Sequence, residues 1–93
     1  MKNTFTGGEC DYVDCNGKQY YIDTSNTLDC GWETMIFQAK NRVVTDWYDL
    51  YCERHNSKDE AMNRHKYIIN HLEEYLSNTE EGLFLFRKEK RYL

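Results

Sequence analysis

In the first third of the chain, apolar and polar side chains alternate with a period of two. Asn16-Gly17 sits between Glu9–Cys15 and Lys18–Thr24. Both residues tolerate the positive φ that a type I′ turn demands, so the pattern predicts a hairpin. Closing the turn on Cys15 and Lys18 sets Val13 opposite Tyr20 and Tyr12 opposite Tyr21, both favourable cross-strand pairs. Tyr20 and Ile22 then share one face, and Tyr21 and Asp23 the other. Thr24–Asp29 is polar and reads as a loop. After Gly31, Trp32–Gln38 is rich in β-formers with apolar residues on both faces, which predicts a central third strand. Ala39–Arg42 reads as a short connection and Arg42–Arg54 as a long fourth strand. There Trp47 and Tyr51 alternate on one side, while Tyr48, Leu50 and Cys52 alternate on the other. A bulge near Thr45-Asp46 reconciles the two apolar sets.

The period changes from two to between three and four at Ser57-Lys58-Asp59-Glu60, an S-x-x-E capping box. The following helix is expected to reach Ser77 or Asn78. Ala61, His65, Ile68, Ile69, Leu72, Tyr75 and Leu76 form its apolar stripe, and Asn63, Arg64, Lys66, Asn70, Glu73 and Glu74 face water. Leu83–Arg87 has the composition of a last strand or an apolar arm. The expectation is an α+β fold: an antiparallel β-sheet of four to five strands with one amphipathic α-helix packed on one face. Residues 1–8 read as a flexible leader, 9–87 as the single domain and 88–93 as a basic tail.

Composition adds two constraints. At 93 residues the chain suits one domain, and aromatic residues are 15% of it, more than one small helix–sheet interface needs. The formal net charge is −4, opposite in sign to a general nucleic-acid coat or a polybasic membrane binder. The last eleven residues run against this, with a net charge of +3. Phe84, Phe86 and Tyr92 among Arg87, Lys88, Lys90 and Arg91 give the aromatic and basic mix of a single-strand binder, the second functional reading. No apolar run approaches a transmembrane helix and the N-terminus lacks a signal-peptide core, so a cytoplasmic location without membrane contact is expected.

Catalytic and cofactor signatures are weak. The cysteines are spaced C-x₄-C-x₁₄-C-x₂₁-C, wider than the usual paired zinc ligands. Cys10 and Cys15 fall on opposite faces of one strand, and reduced thiols are expected. His65 lies on the apolar stripe, where a hydrogen-bonded core histidine is commoner than a base. His65 and His71 are also six apart rather than the four of H-E-x-x-H. No Gly-rich phosphate loop or G-x-S-x-G occurs. The expectation is a non-enzyme with no cofactor and no metal.

Gly31-Trp32-Glu33-Thr34-Met35-Ile36-Phe37, Val44-Thr45-Asp46-Trp47, Leu50-Tyr51-Cys52-Glu53-Arg54 and Glu60-Ala61 with His65 resemble a group of short, mostly uncharacterised proteins. These belong to phages, prophages and mobile elements of low-GC bacteria. The resemblance implies an accessory protein, and small acidic proteins of that kind often bind a host protein, some blocking CRISPR nucleases. The expected function is therefore a protein-binding module that inhibits a host protein such as a defence nuclease, anti-CRISPR-like, by steric occupation. Trp32, Trp47, Tyr48 and Tyr51 are the expected anchors, with Asp46, Asp49 and Glu53 meeting a basic groove. An apolar terminal strand also makes a homodimer an expected state.

Overall fold

The computed structural model describes residues 8–27 and 31–76. The expected last strand (83–87), the tail (88–93) and all but the final residue of the leader lie outside them. Four strands, β1 (Glu9–Cys15), β2 (Lys18–Thr27), β3 (Gly31–Lys40) and β4 (Val43–Arg54), form one antiparallel sheet in the order β1-β2-β3-β4. The helix α1 (Lys58–Asn70) lies across β1, β2 and β3 on one face. This is the α+β arrangement the pattern predicts.

The first hairpin closes as the turn chemistry requires. Asn16 and Gly17 have φ of 52° and 81°, and Val13 pairs with Tyr20 and Tyr12 with Tyr21. Between β3 and β4 a second two-residue turn carries Asn41 and Arg42 at φ of 53° and 61°. It has the same left-handed geometry without a glycine. The strain at Arg42 is offset locally: its backbone N–H donates to Gln19 Oε1 at 2.6 Å, and its guanidinium lies 4.9 Å from the centre of the Tyr12 ring. Arg42 is therefore a turn residue, and the fourth strand begins at Val43.

Two other expectations are corrected. Thr24–Thr27 continues β2 rather than forming a loop, because Thr24 pairs with Thr34 and is fully buried under the helix. Polarity misleads there, since the buried hydroxyl is hydrogen-bonded. The helix also breaks at His71, whose φ of −128° leaves helical space, before a further helical turn at residues 72–76. His71 N–H still donates to Ile68 C=O at 3.2 Å, so Leu72 and Leu76 stay on the sheet side.

The expected irregularity in β4 is present. Ile36 pairs with Tyr51 but Gln38 with Asp46, so β4 spends three extra residues across that step, and a second shift follows between Gln38 and Ala39. The bulge lets both Leu50 and Tyr51 join the core, while Trp47 emerges on the opposite face. Tyr20, Ile22, Ile36, Leu50, Ile68, Leu72 and Leu76 form that core, flanked by Val13, Cys15, Tyr51, Ile69 and Tyr75. Packing against the helix buries one face of the sheet, and no described helix covers the other.

Candidate partner-binding face and the polar seam beneath the helix

The sheet face turned away from α1 carries an aromatic stripe that crosses all four strands, and at its far end Ser25 and Glu33 are buried. Tyr12 and Tyr21 are cross-strand partners with ring centres 4.8 Å apart. Tyr21 then meets Phe37 at 6.3 Å, and Phe37 meets Trp47 edge-on at 5.1 Å. The register produces the stripe: Tyr12, Tyr21 and Phe37 stand at successive paired positions, and the β4 bulge delivers Trp47 to the end of the row. Phe37 is only 4% exposed because its neighbours cover it, whereas Trp47 is 63% exposed. Tyr48, the next residue, is exposed as well, whereas the exposed Val43 pairs with Lys40 and stands on the other side of the sheet. Burial, followed by a hydrogen bond with Cys10 and the charge of Asp23, pushes the Tyr21 phenol well above its ordinary range, so it stays neutral.

The expected anchor set divides between the two faces. Trp47 and Tyr48 are exposed at the bulge, where Asp46 Oδ1 accepts the Tyr48 backbone N–H at 3.0 Å; Asp49 is half-buried. Trp32 is half-buried at the start of β3, by alternation on the helix side, and its C=O accepts the His55 N–H at 2.9 Å. Tyr51 does not share a side with Trp47. It points under the helix, 4.9 Å from the Tyr75 ring, and its hydroxyl donates to Glu53 Oε1 at 2.6 Å. Glu53 also accepts two bonds from Arg64, at 2.7 and 2.8 Å, and Arg64 Nη2 donates to the Tyr75 hydroxyl. Arg64 thus clamps helix to sheet instead of facing water. Burial alone would raise the Glu53 carboxyl, but the hydrogen bonds from Arg64 and Tyr51 carry it below its ordinary value of 4.5. The alternative nucleic-acid residues, Arg87, Lys88, Lys90 and Arg91, lie outside the described residues.

Under the helix runs a polar seam that periodicity does not reveal. His65, fully buried, bonds Asp11 Oδ2 through Nε2 at 2.6 Å and Thr24 Oγ1 through Nδ1 at 2.7 Å. Thr24 Oγ1 lies 2.6 Å from Thr34 Oγ1, which lies 2.8 Å from His55 Nε2. Hydrogen-bond logic orients the row. The Asp11 carboxylate accepts from His65 Nε2–H, so His65 Nδ1 accepts from Thr24, Thr24 from Thr34, and Thr34 from His55 Nε2–H. With one proton on each ring, every hydroxyl and ring nitrogen joined in this row has a partner of the right kind. Burial lowers the affinity of His55 for a second proton against the pull of Glu53 and Glu60. The Asp–His–Thr geometry resembles that of a nucleophilic triad, yet Thr24 is fully buried with its hydroxyl committed to two partners. The signal for this seam was the Thr24/Thr34 register pair beneath a stripe histidine.

Cys10, Cys15 and Cys52 are free thiols, with Cys10 and Cys15 on opposite faces as expected. A hollow of about 550 Å³ between the two hairpin turns is lined by Asp14, Lys18, Gln19 and Gln38 among others, with no histidine or cysteine. No helix among the described residues is long and apolar enough to cross a membrane. No protein-family model, curated protein or solved structure matches the chain.

Proposed function

We propose that the protein is a non-enzymatic binding module that docks on another protein through the aromatic sheet face turned away from α1. The observation that carries this reading is the Tyr12–Tyr21–Phe37–Trp47 stripe, with its most exposed member supported edge-on from behind. Tyr and Trp held this way lose little conformational entropy on association and are the usual hot-spot residues of interfaces. Asp14 and Asp23 share the face by register, whereas Asp46, paired with Gln38, stands on the Tyr20 side. With a net charge of −4, this composition suits a partner with a basic surface.

A host nuclease groove built for nucleic acid is such a surface, and an aromatic face flanked by Asp14 and Asp23 would occupy it sterically. The resemblance to phage and mobile-element accessory proteins supports that choice of partner, and inhibition of a defence nuclease of the CRISPR type is the specific form proposed. Nuclease assays with wild-type protein and a Trp47→Ala variant test it, together with affinity capture of the nuclease. Stoichiometric capture and inhibition by wild type are expected, with at least a ~30-fold loss for Trp47→Ala, the scale of one central hot spot. Equal potency of Trp47→Ala overturns the use of this face. Tight, salt-sensitive binding of a single-stranded oligonucleotide without nuclease capture would instead favour the nucleic-acid reading. Concentration-dependent sedimentation lost in Trp47→Ala would assign the face to a second copy.

A further inference from the structure

We propose that Glu9, Asp11 and His65 form a binding site for a divalent transition-metal cation, zinc foremost, at the β1 edge of the sheet. Glu9 and Asp11 are alternate residues of β1 and so project to its helix side, where α1 delivers His65. One ligand atom from each lies within 4.8 Å of the other two. The set is graded from rigid to mobile: the His65 ring is fully buried, the Asp11 side chain is 45% exposed and Glu9 is exposed. A nitrogen fixed by the core faces oxygens that can adjust, and the solvent side stays open for water ligands.

Carboxylates alone would not make a site. The independent observation is the support behind His65, which metal-binding imidazoles characteristically have. Thr24 Oγ1 holds Nδ1 at 2.7 Å, and Thr34 and His55 extend that support through the core. Among the described residues, neither Glu9 nor Asp11 is paired with a lysine or arginine, so two carboxylate charges are available to balance a dication. Ligand bonds of about 2.0–2.2 Å place adjacent donors roughly 3 Å apart. The exposed Asp11 carboxylate therefore moves only slightly from its 2.6 Å contact with Nε2 to admit the ion. The site uses none of the cysteines, and its ligands are 54 residues apart in sequence, which is why spacing did not show it.

Binding has a remote consequence. Metal on Nε2 displaces the proton held there, which leaves to water. Neutral His65 then carries its proton on Nδ1 and donates to Thr24, Thr24 donates to Thr34, and Thr34 donates to His55 Nε2. His55 gives up its Nε2 proton along this row and takes one from water at Nδ1, which faces Glu53 and Glu60 at 3.6 and 3.9 Å. One proton leaves and one enters, so both histidines change tautomer with no net proton release.

Long-range ¹H–¹⁵N NMR of the histidine rings during zinc titration of the full chain tests this. Expected are a metal-bound Nε2 on His65, a concerted Nε2–H to Nδ1–H switch on His55, and saturation near one equivalent. Glu9→Gln and Asp11→Asn should each weaken binding at least ~10-fold, and Thr24→Val ~10- to 100-fold. Manganese, which prefers oxygen and nitrogen donors over thiolates, should broaden amide signals around residues 9–11 and 65 first. Zinc shifts confined to the cysteines, or wild-type affinity in Glu9→Gln with its amide spectrum unchanged, would overturn the site. Glu9 is exposed, so that variant separates loss of a ligand from loss of the fold.

Discussion

Thr24 and Thr34 decide how polar atoms survive inside this small core. Each hydroxyl is buried, and each both donates and accepts, linking two histidines that would otherwise leave ring nitrogens unpaired. Thr34→Val keeps the shape and strands the His55 N–H, so it should destabilise the protein by about 1–3 kcal/mol in urea unfolding. Thr24→Val should cost a similar amount, and the double variant clearly less than the sum, because both act on one network. His55 supplies a pH signature. Its pKa is lowered below 6.5 by burial, with Glu53 and Glu60 only partly restoring it. The unfolded chain therefore binds the proton more readily than the native one. The His55 contribution is complete above pH 6.5 and is lost as the pH falls from 6.5 toward the lower native value. Urea midpoints measured from pH 8 to 5 should fall in wild type and flatten in His55→Gln.

Among the elements, the second turn and the helix start set the boundaries. Arg42 at φ 61° holds a conformation that suits glycine. Arg42→Ala and Arg42→Gly both remove the contact with Tyr12, so comparing them isolates the backbone. The glycine variant should be more stable than the alanine variant by about 1 kcal/mol in thermal or urea unfolding. At the helix start, Ser57 Oγ accepts the Glu60 N–H at 3.1 Å, as the capping-box pattern requires. Ser57→Ala should cost about 1 kcal/mol. The same helix is tied to β4 by Arg64 and Glu53, a clamp that periodicity places in water. A long arginine on the edge of an apolar stripe can reach across it, and only the neighbouring strand shows whether a carboxylate waits there.

For the whole molecule, the two sheet faces have separate duties. The covered face supplies stability, and the other carries the ring stripe proposed to bind a partner. Trp47→Ala should change stability by only about 1 kcal/mol, its ring contacts being two edge-on pairs with Phe37 and Tyr21 at an exposed site, while removing most of the proposed binding. The covered face should also give acid unfolding a second stage. Glu53 is held below 4.5 by Arg64 and Tyr51 against the opposing effect of burial, so its contribution is complete above pH 4.5 and lost as the pH falls below it. In Glu53→Gln that second stage should disappear from the pH dependence of urea unfolding. The hairpin, its register, the central third strand, the irregular fourth and the capped helix were all legible in the chain. Local rules govern them: turn residues that accept positive φ, two-residue alternation, and a hydroxyl before a run with helical spacing. The extent of β2, the side on which Tyr51 lies, the Arg64 clamp and the meeting of Glu9 and Asp11 with His65 came only from tertiary structure. Each depends on what stands opposite: a buried threonine reads as loop until another hydroxyl pairs with it, and a bulge of three residues reverses side-chain direction without any mark in composition.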